Sequence, residues 1–264
     1  MRLSETFAKA AADGRAALVG YLPAGYPTVP GAIDALRAMV DAGVDVVEVG
    51  LPYSDPLMDG PVIQHAVDAA LAAGTTTPDV LRTVEAVAAA GVPALVMSYW
   101  NPILRYGPDR FARDLAAAGG AGAITPDLIP DEASDWLTAA RVVGIDTVFL
   151  VAPSSTDERL ALTADACRGF VYAASTMGVT GTREQVSGAA EALVARVRQV
   201  TQLPVAVGLG VSSAAQAAEV AGFADGVIVG SAFVRRMIDA PDIATAASGV
   251  ATLAAELAEG VRRS

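Results

Sequence analysis

The sequence predicts an α/β fold of the (β/α)8 barrel type. Short apolar runs of strand length alternate with alanine-rich segments whose apolar residues recur at helical spacing. Eight strands, each followed by a helix, imply parallel pairing through right-handed crossovers, and eight parallel strands close into a barrel. The length of 264 residues suits one barrel, and no linker rich in Pro, Gly or Ser divides the chain. We therefore expect residues 1–264 to form a single domain.

The predicted strands are near-continuous apolar runs, which is typical of parallel strands covered on both faces. In chain order they are Ala17–Leu22, Val44–Val49, Ala94–Tyr99, Gly122–Thr125, Thr147–Val151, Phe170–Ala173, Pro204–Gly208 and Gly226–Val229. The alternative architecture is an open, doubly wound sheet. No G-x-G-x-x-G motif follows an early strand, so the sequence favours the barrel.

Helical segments fill the intervals between the strands. Those with the clearest 3.6-residue spacing are Ala32–Ala42, Asp109–Ala118, Ala133–Val143, Thr156–Cys167, Ala189–Val200 and Ala214–Ala221. An amphipathic N-terminal helix carries Leu3 and Phe7, and extra helices are predicted at Val62–Ala73, before the helical segment Asp79–Ala90, and at Ile243–Val261. Glycines close several helices just before the next strand: Gly43, Gly91, Gly119, Gly144 and Gly222.

Composition excludes several classes of protein. The net charge of −11 argues against a nucleic-acid partner, because little here would neutralise phosphates. The longest stretch without a charged residue, 86–104, contains Gly91, Pro93 and Pro102, so we expect no membrane span. Charged residues interrupt the first fifteen positions, which lack the apolar core of a signal peptide. The single cysteine, Cys167, excludes an internal disulfide and suits a reducing cytoplasm, where we expect the protein.

Three scarcities restrict the chemistry. The chain has one lysine, Lys9, and one histidine, His65, besides its one cysteine. A Schiff base would depend on Lys9, which precedes the first strand, and a metal site with several His or Cys ligands cannot be built. A Ser–His–Asp triad would need His65, which lies within a helical pattern. Carboxylates, tyrosines and backbone amides remain.

Glu48 is the carboxylate that stands out, because it interrupts the apolar run of the second predicted strand. Val47 and Val49 face one side of that strand and Glu48 the other. It lies near the C-terminal end, and barrel active sites are built at that end. Apolar neighbours raise the pKa of a carboxyl group toward values that suit proton transfer. The alternative interpretation is a structural ion pair with an arginine.

A second carboxylate, Asp59, follows eleven residues later in an Asp-Gly-Pro turn. Together, Glu48 and Asp59 suggest acid–base chemistry. Asp59 alone is equally typical of a turn or a helix cap.

Three later loops complete the predicted site. The loop Ser175–Ser187, after the sixth strand, has the glycines and threonines of a lid, although the same composition is typical of a flexible surface loop. Tyr172, just before it, either points its hydroxyl into the mouth or packs in the core. The glycine turns Gly208–Ser212 and Gly230–Ser231 precede helices after the seventh and eighth strands, where such barrels bind phosphate.

These motifs, in this order, resemble the α subunit of tryptophan synthase from end to end. The most specific is VEVGLPYSDPLMDGP around the second strand. It is supported by SYWNPI, TPDLIPDE, GVTGTR, GLGVSS and VGSAFV after the third, fourth, sixth, seventh and eighth strands. The resemblance implies retro-aldol cleavage of indole-3-glycerol phosphate into indole and glyceraldehyde 3-phosphate.

The resemblance also implies roles for individual residues. Glu48 matches the catalytic acid/base and Asp59 the carboxylate beside the indole N–H. Tyr172 matches a tyrosine of the site and Thr180 a lid threonine that meets the loop bearing Asp59. The phosphate-binding positions are Gly181, Gly210, Gly230 and Ser231, and the indole-pocket positions are Tyr21, Ile124 and Leu209. Tyr21 and Leu209 stand where some members have Phe.

The resemblance further implies that this chain holds no cofactor or metal. Pyridoxal phosphate is expected only in a partner β subunit, within an α2β2 heterotetramer. Two alternatives stay open from the sequence. One is a free-standing lyase that needs no β subunit, and the other is a catalytically silent barrel that binds a phosphorylated ligand or activates a partner.

Overall fold

A computed structural model describes residues 2–174, 183–208 and 210–262, with the backbone alone for residues 183–187. Its strands are all parallel and form one nine-stranded sheet in the order β5-β4-β3-β2-β1-β9-β8-β7-β6. They are β1 (Ala17–Pro23), β2 (Val46–Gly50), β3 (Ala94–Met97), β4 (Gly122–Ile124), β5 (Asp146–Val148), β6 (Leu150–Val151), β7 (Val171–Ala174), β8 (Val205–Gly208) and β9 (Gly226–Val229). The sheet is a nearly closed barrel, which confirms the predicted fold class.

Nine strands replace the predicted eight because the fifth is divided at Phe149. Strand β5 pairs with β4, whereas β6 pairs with β7 on the other side. The N–H of Phe149 donates to Sγ of the buried Cys167 at 3.4 Å instead of to a strand neighbour. The prediction of one strand at Thr147–Val151 was therefore wrong in detail. The segment instead forms two short strands, β5 and β6, which pair with different neighbours.

Twelve α-helices lie in the described part of the chain. They are α1 (Leu3–Ala12), α2 (Val29–Asp41), α3 (Pro61–Ala72), α4 (Thr77–Ala89), α5 (Trp100–Tyr106), α6 (Pro108–Ala117), α7 (Ser134–Val143), α8 (Asp157–Ala166), α9 (Arg183–Val197), α10 (Ala214–Ala221), α11 (Ser231–Asp239) and α12 (Ile243–Gly260). Those in the described residues are too short or too polar to cross a membrane.

Several predicted boundaries were wrong, including those around α5 and at the start of α9. Strand β3 ends at Met97 rather than Tyr99, and helix α5 begins at Trp100, where the sequence predicted a loop. Oδ1 of Asp127, in the loop after β4, accepts from the N–H of Trp100 at 2.8 Å and caps this helix. Likewise, α9 begins at Arg183, so the predicted loop 175–187 is shorter at its C-terminal end.

Helix α1 covers the N-terminal ends of the strands. Leu3 and Phe7 are buried in the cluster that fills the barrel, and the Phe7 ring lies 5.3 Å from that of Phe170. A Cβ on Gly226, the first residue of β9, would lie 2.9 Å from the Phe7 ring. Lys9 is exposed on this helix. The opposite, C-terminal end of the barrel is left for chemistry.

Candidate active site

Side chains that face inward at the C-terminal ends of the strands form the candidate site. Tyr21 on β1 and Glu48 on β2 are register partners, so their side chains emerge side by side. Tyr172 on β7 is the register partner of Leu150 on the neighbouring strand β6. The structure thus brings together three of the residues that the sequence singled out.

Glu48 is 1% exposed. Its Oε1 has no hydrogen-bond partner among the described residues, and no arginine of known side-chain position forms an ion pair with it. Burial raises the pKa of this carboxyl group to about 8. The described residues therefore give no support to the structural ion pair, and a carboxyl with this pKa exchanges protons near neutral pH.

Two tyrosines flank Glu48, and each lies over a glycine of a neighbouring strand. A Cβ on Gly50 would lie 2.7 Å from Cε2 of Tyr21, and one on Gly208 would lie 2.7 Å from Oη of Tyr172. Burial raises the pKa of both phenols; the charges of Asp59 and Glu48 add to this at Tyr21, and that of Glu48 at Tyr172. Both hydroxyls therefore keep their protons at physiological pH.

Asp59 is half-buried in the loop after β2, and it is held by a tyrosine that the sequence reasoning did not select. Oη of Tyr99 donates to its Oδ1 at 3.0 Å, and the N–H of Met58 donates to the same Oη at 2.9 Å. Burial raises the pKa of Asp59, and the Tyr99 hydrogen bond opposes this rise. Helix α3 is capped at Gly60 without a side-chain hydrogen bond. Asp59 is thus not a helix cap.

The floor of the mouth is apolar. Ile124 is fully buried, and the half-buried Met97 and Leu150 pack with Tyr172 against the cluster that contains it. An aromatic ring entering from above would meet this surface. Sequence reasoning missed Met97, Leu150 and Tyr99, although alternation along the predicted third and fifth strands places the first two on the inward face.

The two glycine turns differ in a way that their sequences do not show. At α10, Oγ of Ser213 accepts from the N–H of Gln216, and the Gln216 side chain accepts from the N–H of Ser212 at 2.6 Å. At α11, the N-cap is Gly230, with no side-chain cap, and the exposed Ser231 begins the helix. The N–H groups of Ser231 and Ala232 have no acceptor among the described residues and suit an anion, whereas that of Phe233 donates to the carbonyl of Gly230.

Gly210, in the turn between β8 and α10, is exposed and has φ of +65°, a conformation that favours glycine. The remaining predicted positions, Thr180, Gly181 and Leu209, lie outside the described residues.

His65 is exposed on α3 and its ring lies 6.4 Å from that of Tyr26. Across the part of the chain that the structure describes, no group of three or more acidic, His or Cys side chains is placed to hold a metal ion.

Segments that follow β2, β3 and β4 carry four exposed apolar side chains, which together we call the rim surface. It consists of Leu57 and Met58 after β2, Leu104 on α5 and Ile129 after β4, exposed to 75%, 37%, 54% and 45%. Oη of Tyr53, in the first of these segments, accepts from Nδ2 of Asn101 on α5 at 3.1 Å. The rim surface therefore adjoins the loop that carries Asp59.

Comparison with known proteins identifies close relatives over nearly the whole chain. A sequence model of the family described as "Tryptophan synthase alpha chain" matches residues 7–262. The tryptophan synthase alpha chain of Thermobifida fusca is 65% identical over 263 residues, covering 98% of this chain and 97% of that protein. The one from Salinispora arenicola is 64% identical over 256 residues, covering 97% and 96%.

Solved structures agree with this similarity. A chain of Mycobacterium tuberculosis tryptophan synthase is 57% identical and superposes with a TM-score of 0.93, covering 100% of this chain and 99% of that one. Tryptophan synthase subunit alpha from Legionella pneumophila is only 31% identical, yet superposes with a TM-score of 0.90 over 98% of each chain. The backbone is thus similar even where the sequences have diverged.

Proposed function

This chain belongs to the tryptophan synthase alpha chain family, and on that premise we propose that Glu48 and Asp59 divide the acid–base work of the reaction between them. The chain is a lyase of L-tryptophan biosynthesis that cleaves indole-3-glycerol phosphate into indole and D-glyceraldehyde 3-phosphate. The observation that carries the proposal is the burial of Glu48 at the barrel mouth, with Oε1 unpartnered among the described residues.

The cleavage needs two proton transfers. A proton is added to C3 of the indole ring, which places positive charge on the ring nitrogen. The hydroxyl on the adjacent glycerol carbon then loses its proton and becomes the carbonyl of the aldehyde. The electron pair of the broken C–C bond returns to the ring and neutralises the nitrogen. These steps require acid–base groups and an anion near the nitrogen, so we propose that this chain needs no cofactor or metal of its own.

Glu48 is suited to move the protons. With a pKa of about 8, it is mostly protonated at neutral pH and can give its proton to C3. The resulting carboxylate can then accept the hydroxyl proton, which restores the starting state. General acid–base catalysis of this kind contributes about 10²–10⁴-fold in rate. The flanking Tyr21 and Tyr172 supply hydroxyl donors but keep their own protons.

Asp59 is suited to hold the ring nitrogen. Its Tyr99 hydrogen bond favours the ionised form, so that a fixed negative charge faces the mouth. That charge attracts the N–H of the indole and stabilises the positive charge that develops there. The floor of Ile124, Met97 and Leu150 supports the ring, and Tyr21 borders it. Leu209 belongs to the same pocket by resemblance.

We propose the N-terminus of α11 as the site of the substrate phosphate. Free N–H groups follow Gly230, and the Ser231 hydroxyl lies beside them, whereas α10 uses part of its first turn for its own caps. Gly210 in the preceding turn, and Gly181 and Thr180 by resemblance, complete the phosphate and lid positions. A phosphate anchor positions the substrate for cleavage, and we expect this positioning to supply most of the rate acceleration that acid–base catalysis does not.

We propose a tryptophan synthase β subunit as partner, in an α2β2 assembly, with pyridoxal phosphate bound in that subunit. The rim surface supports this, because several exposed apolar side chains beside an active site are compatible with a protein interface. A cytoplasmic location is proposed as well, and the free thiol of Cys167 is compatible with a reducing compartment.

The decisive test is indole release by the purified chain. Glu48→Gln should lower kcat by about 10²–10⁴-fold, because the amide cannot exchange protons. Calorimetric binding of glyceraldehyde 3-phosphate should persist. Glu85→Gln, a substitution of the same type on the exposed face of α4, is the matched control and should retain the wild-type rate. Wild-type indole release by Glu48→Gln would refute the assignment.

Repeating the assay with the β subunit distinguishes a dependent subunit from a free-standing lyase.

A further inference from the structure

The hydroxyl of Tyr99 has both of its hydrogen-bonding roles occupied. It accepts from the N–H of Met58 at 2.9 Å, and that backbone group has no other role than donor. The single phenolic proton is therefore directed to Oδ1 of Asp59, at 3.0 Å. Burial raises the pKa of Tyr99 to about 12, so the proton stays on the phenol throughout the working pH range. One oxygen of Asp59 is thus committed to Tyr99.

We propose that Tyr99 is a positioning residue that assigns different tasks to the two oxygens of Asp59: Oδ1 binds Tyr99, and Oδ2 is presented to the substrate N–H. This inference rests on the proposed role of Asp59. An ionised carboxylate has acceptor sites on both oxygens, and a donor fixed on one of them defines the direction of the other.

The donor is more deeply buried than the carboxylate that it orients. Tyr99 is 5% exposed, is the N-cap residue of α5, and its ring packs 5.6 Å from that of Tyr53. The Tyr53 hydroxyl accepts from Asn101 on α5, and Asp127 holds the first turn of that helix. Asp59 belongs to an irregular loop. A donor fixed by its burial and by a capped helix can therefore determine where that carboxylate points.

The pH dependence gives this inference a readout that a purely structural role would not produce. The titratable groups that interact with Asp59 are Tyr99, which precedes α5 and donates to it, and Tyr21 from β1, which feels its charge. Of these, Tyr99 forms the hydrogen bond that lowers the pKa of Asp59 against the effect of burial. Without it, the pKa of Asp59 rises. Because the ionised form is required, the acidic limb of kcat/KM should then move to higher pH.

Tyr99→Phe tests the proposal in the full-length chain. We expect kcat/KM for indole release to fall about 10–100-fold, the range for hydrogen bonds to charged groups, with the acidic limb displaced upward. Tyr106→Phe is the matched control, because Tyr106 donates to a carboxylate, Asp114, at 2.7 Å outside the barrel mouth. It should keep the wild-type rate and profile. A Tyr99→Phe variant with the wild-type pH profile would overturn the proposal.

A double-mutant cycle separates this inference from the proposed function. In the Asp59→Asn background, Tyr99→Phe should cost little more, because its target is already altered. A full additional loss there would place the effect of Tyr99 elsewhere. If Asp59→Asn alone released indole at the wild-type rate, the proposed role of Asp59 would itself fail.

A second probe of Tyr99 does not depend on the folding of Tyr99→Phe. Site-specific 3-fluorotyrosine at position 99 keeps the ring and strengthens the donor. It should move the acidic limb to lower pH, opposite to the phenylalanine variant. An unchanged limb in the fluorinated protein would also reject the inference.

Discussion

Two carboxyl groups at one barrel mouth have opposite surroundings at the scale of single residues. Glu48 is buried without a partner on Oε1 among the described residues, and its pKa is raised to about 8. Asp59 is half-buried and accepts from Tyr99, which opposes the rise that burial causes. Environments that separate two titratable groups in this way assign one as proton carrier and the other as fixed anion.

The raised pKa of Glu48 predicts the alkaline limb of the pH profile. If Glu48 starts protonated, its titration should leave kcat/KM for indole release constant below pH 7. Well above the pKa of about 8, kcat/KM should fall tenfold per pH unit. Steady-state rates between pH 6 and 10 measure it. The limb should vanish from the residual activity of Glu48→Gln. Activity that instead rises through pH 8 would mean that the ionised form begins the reaction.

At the scale of elements, glycines on two strands make room for the site tyrosines. Gly50 ends β2 beneath the Tyr21 ring, and Gly208 ends β8 beneath the Tyr172 hydroxyl. Neither position needs glycine for an unusual backbone, since neither has positive φ. The absence of a side chain there is what allows each tyrosine to lie across the neighbouring strand.

Gly50→Ala is therefore expected to displace Tyr21 from its place beside Glu48. Overpacking of this kind costs about 1–3 kcal/mol, which corresponds to a fall in Tm of roughly 2–12 °C in a domain of this size. Indole release should fall at least about tenfold, because a 1 Å displacement alone can cost 10²-fold in rate. Thermal melts and kinetics check both. Gly188→Ala, on α9, is the control, because the added Cβ has no described atom beyond its own helix backbone within 4 Å; similar effects there would contradict this explanation.

How far the elements could be predicted depends on how local their causes are. Alternation along the second strand was enough to place Glu48 inward, and apolar runs located every strand. The division at Phe149 was not predictable, because it depends on Cys167, eighteen residues away. The start of α5 depends similarly on Asp127, from another loop. The role of Tyr99 could not be predicted for the same reason, because its partner Asp59 lies forty residues earlier.

At the scale of the whole molecule, the two ends of the barrel have different tasks. The N-terminal end is closed by α1 and tied by Arg15, which binds both oxygens of Asp45 at 2.6 and 2.8 Å. The C-terminal end carries Glu48, Asp59 and the α11 N-terminus. This division, with stability at one end and chemistry at the other, is general for such barrels. That residues 1–264 form one domain stays a prediction.

The rim surface gives the prediction that belongs to this scale. If a β subunit covers it, Leu57→Ser should weaken assembly by roughly 10–100-fold in Kd, because burying a leucine contributes about 1.5–3 kcal/mol. Sedimentation velocity or calorimetry with the β subunit measures the effect, and indole release by the free chain should be nearly unchanged. Val142→Ser is the matched control: Val142 is 79% exposed, near the C-terminal end of α7 and so at the opposite end of the barrel. Equal weakening by both variants, or by neither, would place the partner elsewhere.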